Sequence, residues 1–419
     1  MKRLLQTLRE QGKTLLRHKI FPAAALTMAG VFVQGGDQWG EGGSLAAGLT
    51  LIALAMGLGM AALYCVRAEA DECPTAEKRL SRRGRWILFA LLAVHAIAAG
   101  LLVRAVPGRI DCLTFQRDAV QSILRGEDPY GTTHANTIYS ADEMSRFYSP
   151  GEIAGGRVLV GLQYPPFTLA AAIPGYLLGD IRYGYVLAIL LSAWLLVRAL
   201  PTRGGLAVAA LLLLSPETFF VEVRCWTEPL VWLLLCAVFY AVRKKPAWLA
   251  VAFGLFLASK QYNVLALPLA GLLLPRFSWK EYGKLLAVSL AVATATLLPF
   301  AIWNGPALGH DLVQFHLAQP FRDDSVSFAV SFRWLLPVGP VLLLVFSIWA
   351  AVRLRPSIAH FSAAYAMALL LFFATGKQAF CNYYFLIGQA FFLAAACRWE
   401  NVQGDFPVFW VKDTQNVRA

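Results

Sequence analysis

The stretch Pro165-Pro166-Phe167-Thr168-Leu169-Ala170-Ala171-Ala172-Ile173-Pro174-Gly175-Tyr176-Leu177-Leu178-Gly179 decides how the rest of the chain is threaded. It is apolar throughout, yet only about 15 residues long, against roughly 20 for a helix that crosses a bilayer core. If it crosses, Arg198, Arg203, Arg243-Lys244-Lys245, Arg276, Arg353-Leu354-Arg355 and Arg398 all face outward. If it lies at the outer interface, all of them face the cytoplasm, where loops of membrane proteins concentrate Lys and Arg. The charges select the second threading, with 165–179 a re-entrant or surface helix.

A membrane reading is imposed by composition. The chain of 419 residues is 58% hydrophobic and 15% charged, and its mean hydropathy is +0.57. That leaves too little polar surface for a soluble globule of this size. The net charge of +12, from 37 Lys+Arg against 25 Asp+Glu, lies in short loops between apolar runs. There it reports orientation, and a nucleic-acid partner is not expected. Seven cysteines without a Cys-x-x-Cys pair signal neither a disulfide framework nor a zinc site. Most are expected to be small apolar residues in helices.

Working outward, residues 1–19 carry Lys2, Arg3, Arg9, Lys13, Arg17 and Lys19, which places the N-terminus in the cytoplasm. An uncleaved hairpin at 20–36 and 44–66 follows, with no Lys or Arg in its outer turn. Further spans fall near 85–104, 183–200, 204–221, 226–243, 246–259, 261–275, 284–302, 333–352, 357–375 and 378–397. The result is an all-α polytopic bundle of about twelve crossings with both termini inside. Spans 246–259 and 261–275 are short, and a partly inserted hairpin with Lys260 at its tip is an alternative. Residues 1–84 form an N-terminal unit, 85–397 the main module and 398–419 a tail, with large outer loops at 105–182 and 303–332. No repeat or inverted pair of interrupted helices of the transporter kind is visible.

The polar residues then collect on the outer face. Arg109-Ile110-Asp111 follows the third helix, and Asp118 and Glu127-Asp128-Pro129-Tyr130-Gly131 come after it. Asp-Pro-Tyr-Gly is a turn signal. A carboxylate fixed at a helix end can act as a general base, although Asp111 could equally do no more than pair with Arg109 at the water boundary. Gln163-Tyr164-Pro165-Pro166 opens the short apolar helix, where a rigid loop-to-helix junction already accounts for the prolines. Glu217, Glu222, Arg224 and Glu228 surround Trp226, and Glu222 reads as an ordinary interface residue. Lys260-Gln261-Tyr262-Asn263 interrupts about 30 apolar residues, where a lone cation is costly unless it meets an anion or water.

The last outer loop holds His310-Asp311, His316 and Arg322-Asp323-Asp324, and Lys377-Gln378 with Asn382 opens the last helix. A divalent metal is conceivable there, but the spacing fits no firm ligand pattern and no cofactor is signalled. Cations (Arg224, Lys260, Arg322, Lys377) beside Tyr, Trp, Asn and Gln suit an anionic headgroup joined to a polyhydroxylated substrate.

Together these residues resemble the GT-C superfamily of polyprenyl-phosphate-sugar-dependent glycosyltransferases, most closely the family 87 type of bacterial mannosyltransferases. The resemblance covers about 85–397 and rests on Asp111, Gly126-Glu127-Asp128-Pro129-Tyr130, Tyr164-Pro165-Pro166 and Lys260-Gln261-Tyr262. It implies a GT-C-like bundle with interfacial helices in its first outer loop, in a plasma membrane and facing the periplasm or cell exterior. It also implies a sugar moved with inversion from a lipid-phosphate donor to a glycan, lipid or protein hydroxyl, with Asp111 as base. On that reading Lys260 and Arg322 hold the phosphate, with Arg224 and Lys377 behind them. Asp118, Asp128, Tyr130, Gln163, Tyr164, Glu228, Gln261, Tyr262, His316, Asp324, Gln378 and Asn382 then contact substrate. Val223-Arg224-Cys225-Trp226-Thr227-Glu228 departs from the Gly-Gln-x-Asn-like motif of many members, which leaves the donor sugar open. Two rivals stand beside this reading. One is a transporter or flippase for a lipid-linked sugar, which should carry charged or broken-helix sites near mid-membrane. The other is a non-catalytic scaffold of an envelope-building complex.

Overall fold

A computed structural model describes residues 80–136 and 138–399, so the expected N-terminal hairpin and most of the tail lie outside the described residues. The described chain is predominantly helical. Among the described residues five helices are long and apolar enough to cross a membrane, or six if the bent pair Gly204–Leu214 and Pro216–Val223 is one span. Those are the dimensions of a helical membrane protein.

The helices are α1 (Arg82–Ala105), α2 (Asp111–Leu124), α3 (Ala141–Phe147), α4 (Leu169–Leu177), α5 (Arg182–Ala199), α6 (Arg203–Leu214), α7 (Pro216–Val223), α8 (Glu228–Lys244), α9 (Leu249–Leu257), α10 (Trp279–Gly309), α11 (Phe315–Ala318), α12 (Leu335–Arg353), α13 (Ile358–Thr375) and α14 (Cys381–Trp399). Short polar side chains start several of them. Ser81 accepts from the Gly84 N–H, and Ser140 with Glu143 forms a reciprocal cap on α3. α13 is the enclosed centre of the bundle. Ala363, Ala364, Ala366 and Ala368 keep it thin enough for its neighbours to approach closely.

The stretch 165–179 forms a 3₁₀ turn, Pro166–Thr168, leading into α4, and together they are too short to span. Glycines fold it against α5: a Cβ on Gly184 would lie 1.8 Å from the Ala171 carbonyl oxygen, and one on Gly175 2.2 Å from that of Ile181. The reversal between the two helices uses Gly179 at φ 101°.

Contacts define two ends of the bundle. At one end Arg243 Nε donates to the Ala199 carbonyl at 2.9 Å and the Leu80 N–H donates to the Pro201 carbonyl. At the opposite end Arg182 donates to the carbonyls of Val103 (2.7 Å) and Val106 (2.8 Å), so α1 finishes where α5 begins.

Three differences from the expected architecture have physical causes. The segment 303–332 is not loop throughout, because α10 continues past a kink at Asn304. There the Asn304 carboxamide accepts from the Ala307 N–H at 3.2 Å and re-caps the helix just ahead of Pro306. The helix then runs through the π-helical turn His310–Gln314 into α11. Gln261–Leu273 is a 3₁₀ helix of 13 residues, far beyond the usual short turn, with Pro268 inside it. At about 2 Å rise per residue such a helix reaches about 26 Å, further than an α-helix of equal length. Finally, the segment between α2 and α4 carries a small antiparallel sheet, β1 (His134–Ala135), β2 (Ile153–Ala154) and β3 (Arg157–Val158), in the order β1-β3-β2. Gly155 and Gly156, at φ 55° and 73°, turn β2 into β3.

Candidate functional site

Asp111 is the first residue of α2, beside the end of α1. One carboxylate oxygen accepts from the Cys112 backbone N–H at 2.7 Å, and the other accepts from the Tyr148 hydroxyl at 2.6 Å. Burial, reinforced by the Asp111 carboxylate, pushes the Tyr148 phenol far above its ordinary range, so it remains a proton donor. A cleft lined by Asp111, Thr114, Phe115, His134, Tyr139 and Tyr148 opens at this carboxylate.

A buried polar cluster joins Asp111 on its inner side. The Tyr164 hydroxyl lies 2.9 Å from Cys112 Sγ, and the Lys260 ammonium sits 4.2 Å from the centre of the Tyr164 ring. Lys260 lies 3.3 Å from Glu228 Oε1 and donates to Thr227 Oγ1 at 2.5 Å. The Tyr262 hydroxyl donates to the same Glu228 oxygen at 3.1 Å, while Glu228 Oε2 is buried with no partner. Lys260 therefore finds the anion that its position in an apolar stretch demands. Around this pair, Gln261 Nε2 donates to the Gln163 carbonyl at 2.9 Å and lies 3.1 Å from His316 Nε2.

On the outer side, Arg322 stacks over Phe147 (3.8 Å) and Phe380 (4.9 Å), next to the Tyr148 that holds Asp111, and forms a two-point pair with Asp324 at 2.6 and 2.7 Å. Lys377 donates to the carbonyls of Leu317 and Gln319 at 2.9 and 2.7 Å, and burial lowers its pKa. Arg224 donates to the Arg109 carbonyl at 3.2 Å and lies over Phe220. Among the described residues neither Arg224 nor Lys377 forms an ion pair. Lys260 and Arg322 thus have carboxylate partners, whereas Arg224 and Lys377 have none among the described residues.

Several residues expected to contact substrate also tie the frame together. Asp118 accepts from His134 (2.8 Å) and Arg117, and Asp128 accepts from the Tyr130 N–H and Asn304 Nδ2 (2.7 Å). The Tyr130 hydroxyl donates to the Tyr164 carbonyl at 2.8 Å. These bonds fasten the segment between α2 and α4 to α2 and to the α10 kink. Gln378 makes a 3.4 Å contact with the Pro320 carbonyl, and Asn382 is buried with its carbonyl oxygen unpartnered. Among the described residues no group of three or more His, Cys, Asp or Glu side chains is arranged to hold a metal ion.

Nothing in the sequence marked Tyr148, which is 37 residues from Asp111. Thr227 could have been found from Thr-Glu-Pro, a helix-start signal at the head of α8. Cys225 holds φ 57°, uncommon for a side-chain-bearing residue, and Gln116 Nε2 ties its carbonyl (2.9 Å) and that of Cys112 (3.0 Å) together. Glu152 completes a relay in which its Oε1 lies 3.1 Å from His310 Nε2 and His310 Nδ1 lies 2.9 Å from Asp311, which accepts from the Gly161 N–H.

One pair of ionisable groups lies away from the helix ends: His95, midway along α1, contacts Glu222 at 2.9 Å with both side chains fully enclosed.

Compared with family models, with curated proteins and with solved structures, the chain finds no match.

Proposed function

We infer that this protein is a membrane glycosyltransferase of the GT-C type, moving a sugar from a polyprenyl-phosphate donor to an acceptor hydroxyl on the outer side of a plasma membrane. The observation that carries this reading is the union of Asp111, Lys260 and Arg322 in one polar region, linked through Cys112 and Tyr164 on one side and through Tyr148 and Phe147 on the other. That region lies at the end of the bundle away from Ala199 and Arg243, which supports a threading with cytoplasmic basic loops.

In the proposed reaction, Asp111 accepts the proton of the acceptor hydroxyl as its oxygen attacks the anomeric carbon. The bond from that carbon to the phosphate oxygen breaks, and lipid phosphate leaves with the electron pair. Arg224 and Lys377, whose charges no carboxylate cancels, stabilise the departing anion. A preorganised donor of this kind is worth about 3 kcal/mol. Lys260, already paired with Glu228, orients the wall of the site. The test is incubation of purified protein with a panel of lipid-phosphate sugars, scored by release of free lipid phosphate. No release with any donor and acceptor pair would reject the reading.

A second reading, a carrier for a lipid-linked sugar, is favoured by one observation: a titratable pair at a broken apolar helix, His95 and Glu222. Movement of labelled lipid across vesicle bilayers without cleavage would select it.

A further inference from the structure

We propose that His95 and Glu222 form a proton-binding site inside the membrane-spanning part of the bundle, and that the bound proton pins the break between α6 and α7.

The break explains why a histidine lies there. Pro216 has no N–H to offer the Leu212 carbonyl, and the 51° bend also frees that of Leu213. An unpartnered carbonyl in the membrane interior is costly. The Thr218 hydroxyl takes the first at 2.6 Å, and His95 Nδ1 takes the second at 2.7 Å.

A carbonyl only accepts, so Nδ1 carries a hydrogen. In a neutral imidazole Nε2 is therefore a lone pair, facing Glu222 Oε1 at 2.9 Å. Two acceptors do not rest at that distance without a proton between them, whether it is written on nitrogen or on oxygen. Stacking of the ring on Phe219 at 4.7 Å fixes its plane, and among the described residues Glu222 Oε2 has no partner that could offer a second hydrogen.

Among the described residues no other charged side chain is bonded to this pair. α1 carries Arg82, Arg83 and Arg85 at its start and Arg104 at its far end, beside the Tyr183 hydroxyl. α5 carries Arg182, paired with Asp180, Arg198, over Trp194, and Tyr185, bonded to Gln116. On the short helix itself Glu217 is engaged by Ser215, and α14 brings Cys381, Tyr383 and Tyr384. Loss of the shared proton leaves an anion facing a lone pair, which releases Leu213 and the bend. The turn at Cys225, which leads to Thr227 and Glu228, hangs directly from that helix.

The proposal holds whether or not the protein transfers sugar. Its test uses full-length protein in lipid nanodiscs, comparing wild type, Glu222→Gln and the His95→Leu, Glu222→Leu pair. Glu222→Gln keeps a permanent N–H towards Nε2 and removes the titrating proton, so it guards against mere misfolding. Infrared difference spectra between acid and alkaline pH are expected to show a carboxyl or imidazolium band in wild type that both variants lose. With the other cysteines replaced, labelling of Cys225 in wild type should rise about tenfold over the Glu222→Gln protein as that band vanishes, the change expected when one hydrogen bond of ordinary strength is lost. A wild-type spectrum equal to that of Glu222→Gln, or a labelling ratio that stays flat while the band titrates, overturns the proposal.

Discussion

The Tyr148 hydroxyl donates to Asp111 at 2.6 Å across 37 residues of sequence, and with the Cys112 N–H it fixes both oxygens of the carboxylate. The ring is independently held against Tyr139 and Phe315. Tyr148→Phe therefore keeps the packing and loses one bond to a charged group, worth about 1.5–3 kcal/mol. Release of lipid phosphate should slow by roughly 10- to 100-fold with little change in melting temperature. An unchanged rate would remove Tyr148 from the support of Asp111.

Arg224 and Lys377 have no carboxylate partner among the described residues, whereas Arg322 is held by Asp324. Donor affinity should fall more in Arg224→Ala and Lys377→Ala than in Arg322→Ala, by about tenfold or more per lost charge-assisted contact. Binding of a non-cleavable lipid-phosphate sugar, measured by calorimetry, checks the order. Equal losses in all of them would contradict that order.

Lys260 and Glu228 are both enclosed, with side-chain exposures of 6% and 0%. Removing one partner strands a buried charge, so Glu228→Leu or Lys260→Met should each destabilise the protein by about 3–5 kcal/mol, with much of that recovered in the double variant. A thermal-melt double-mutant cycle measures the coupling. Additive losses would mean that the pair is not acting as one unit.

Much of this site was legible in the sequence, and the rest was hidden for definable reasons. Lys260 announced itself as a cation in an apolar run, and the shortness of 165–179 announced a segment that does not cross on length. Glu228 as its partner was within reach, because both lie at ends of apolar stretches on the same face. The sheet around His134 was not legible, since its strands have two residues each and no alternation to read. Nor was the continuation of α10, where the Asn304-Gly305-Pro306 turn signal marks a kink that re-caps the helix rather than ending it. His95 was a signal overlooked: a titratable side chain in the middle of an apolar helix calls for a partner, and Glu222 supplied it.

Sidedness is testable without knowledge of the substrate. Lys245 and Glu127 sit near opposite ends of the described bundle. In oriented cells, Lys245→Cys should resist a membrane-impermeant thiol reagent and Glu127→Cys should react. Labelling of both from outside would break the threading.

The most direct measurement is turnover of Asp111→Asn beside wild type, with the same lipid-phosphate sugar and acceptor. The amide keeps the shape of the side chain but cannot take the acceptor proton, so release of lipid phosphate should fall by about 100-fold or more while donor affinity is retained. Turnover equal to wild type would take the base out of the reaction and contradict the account.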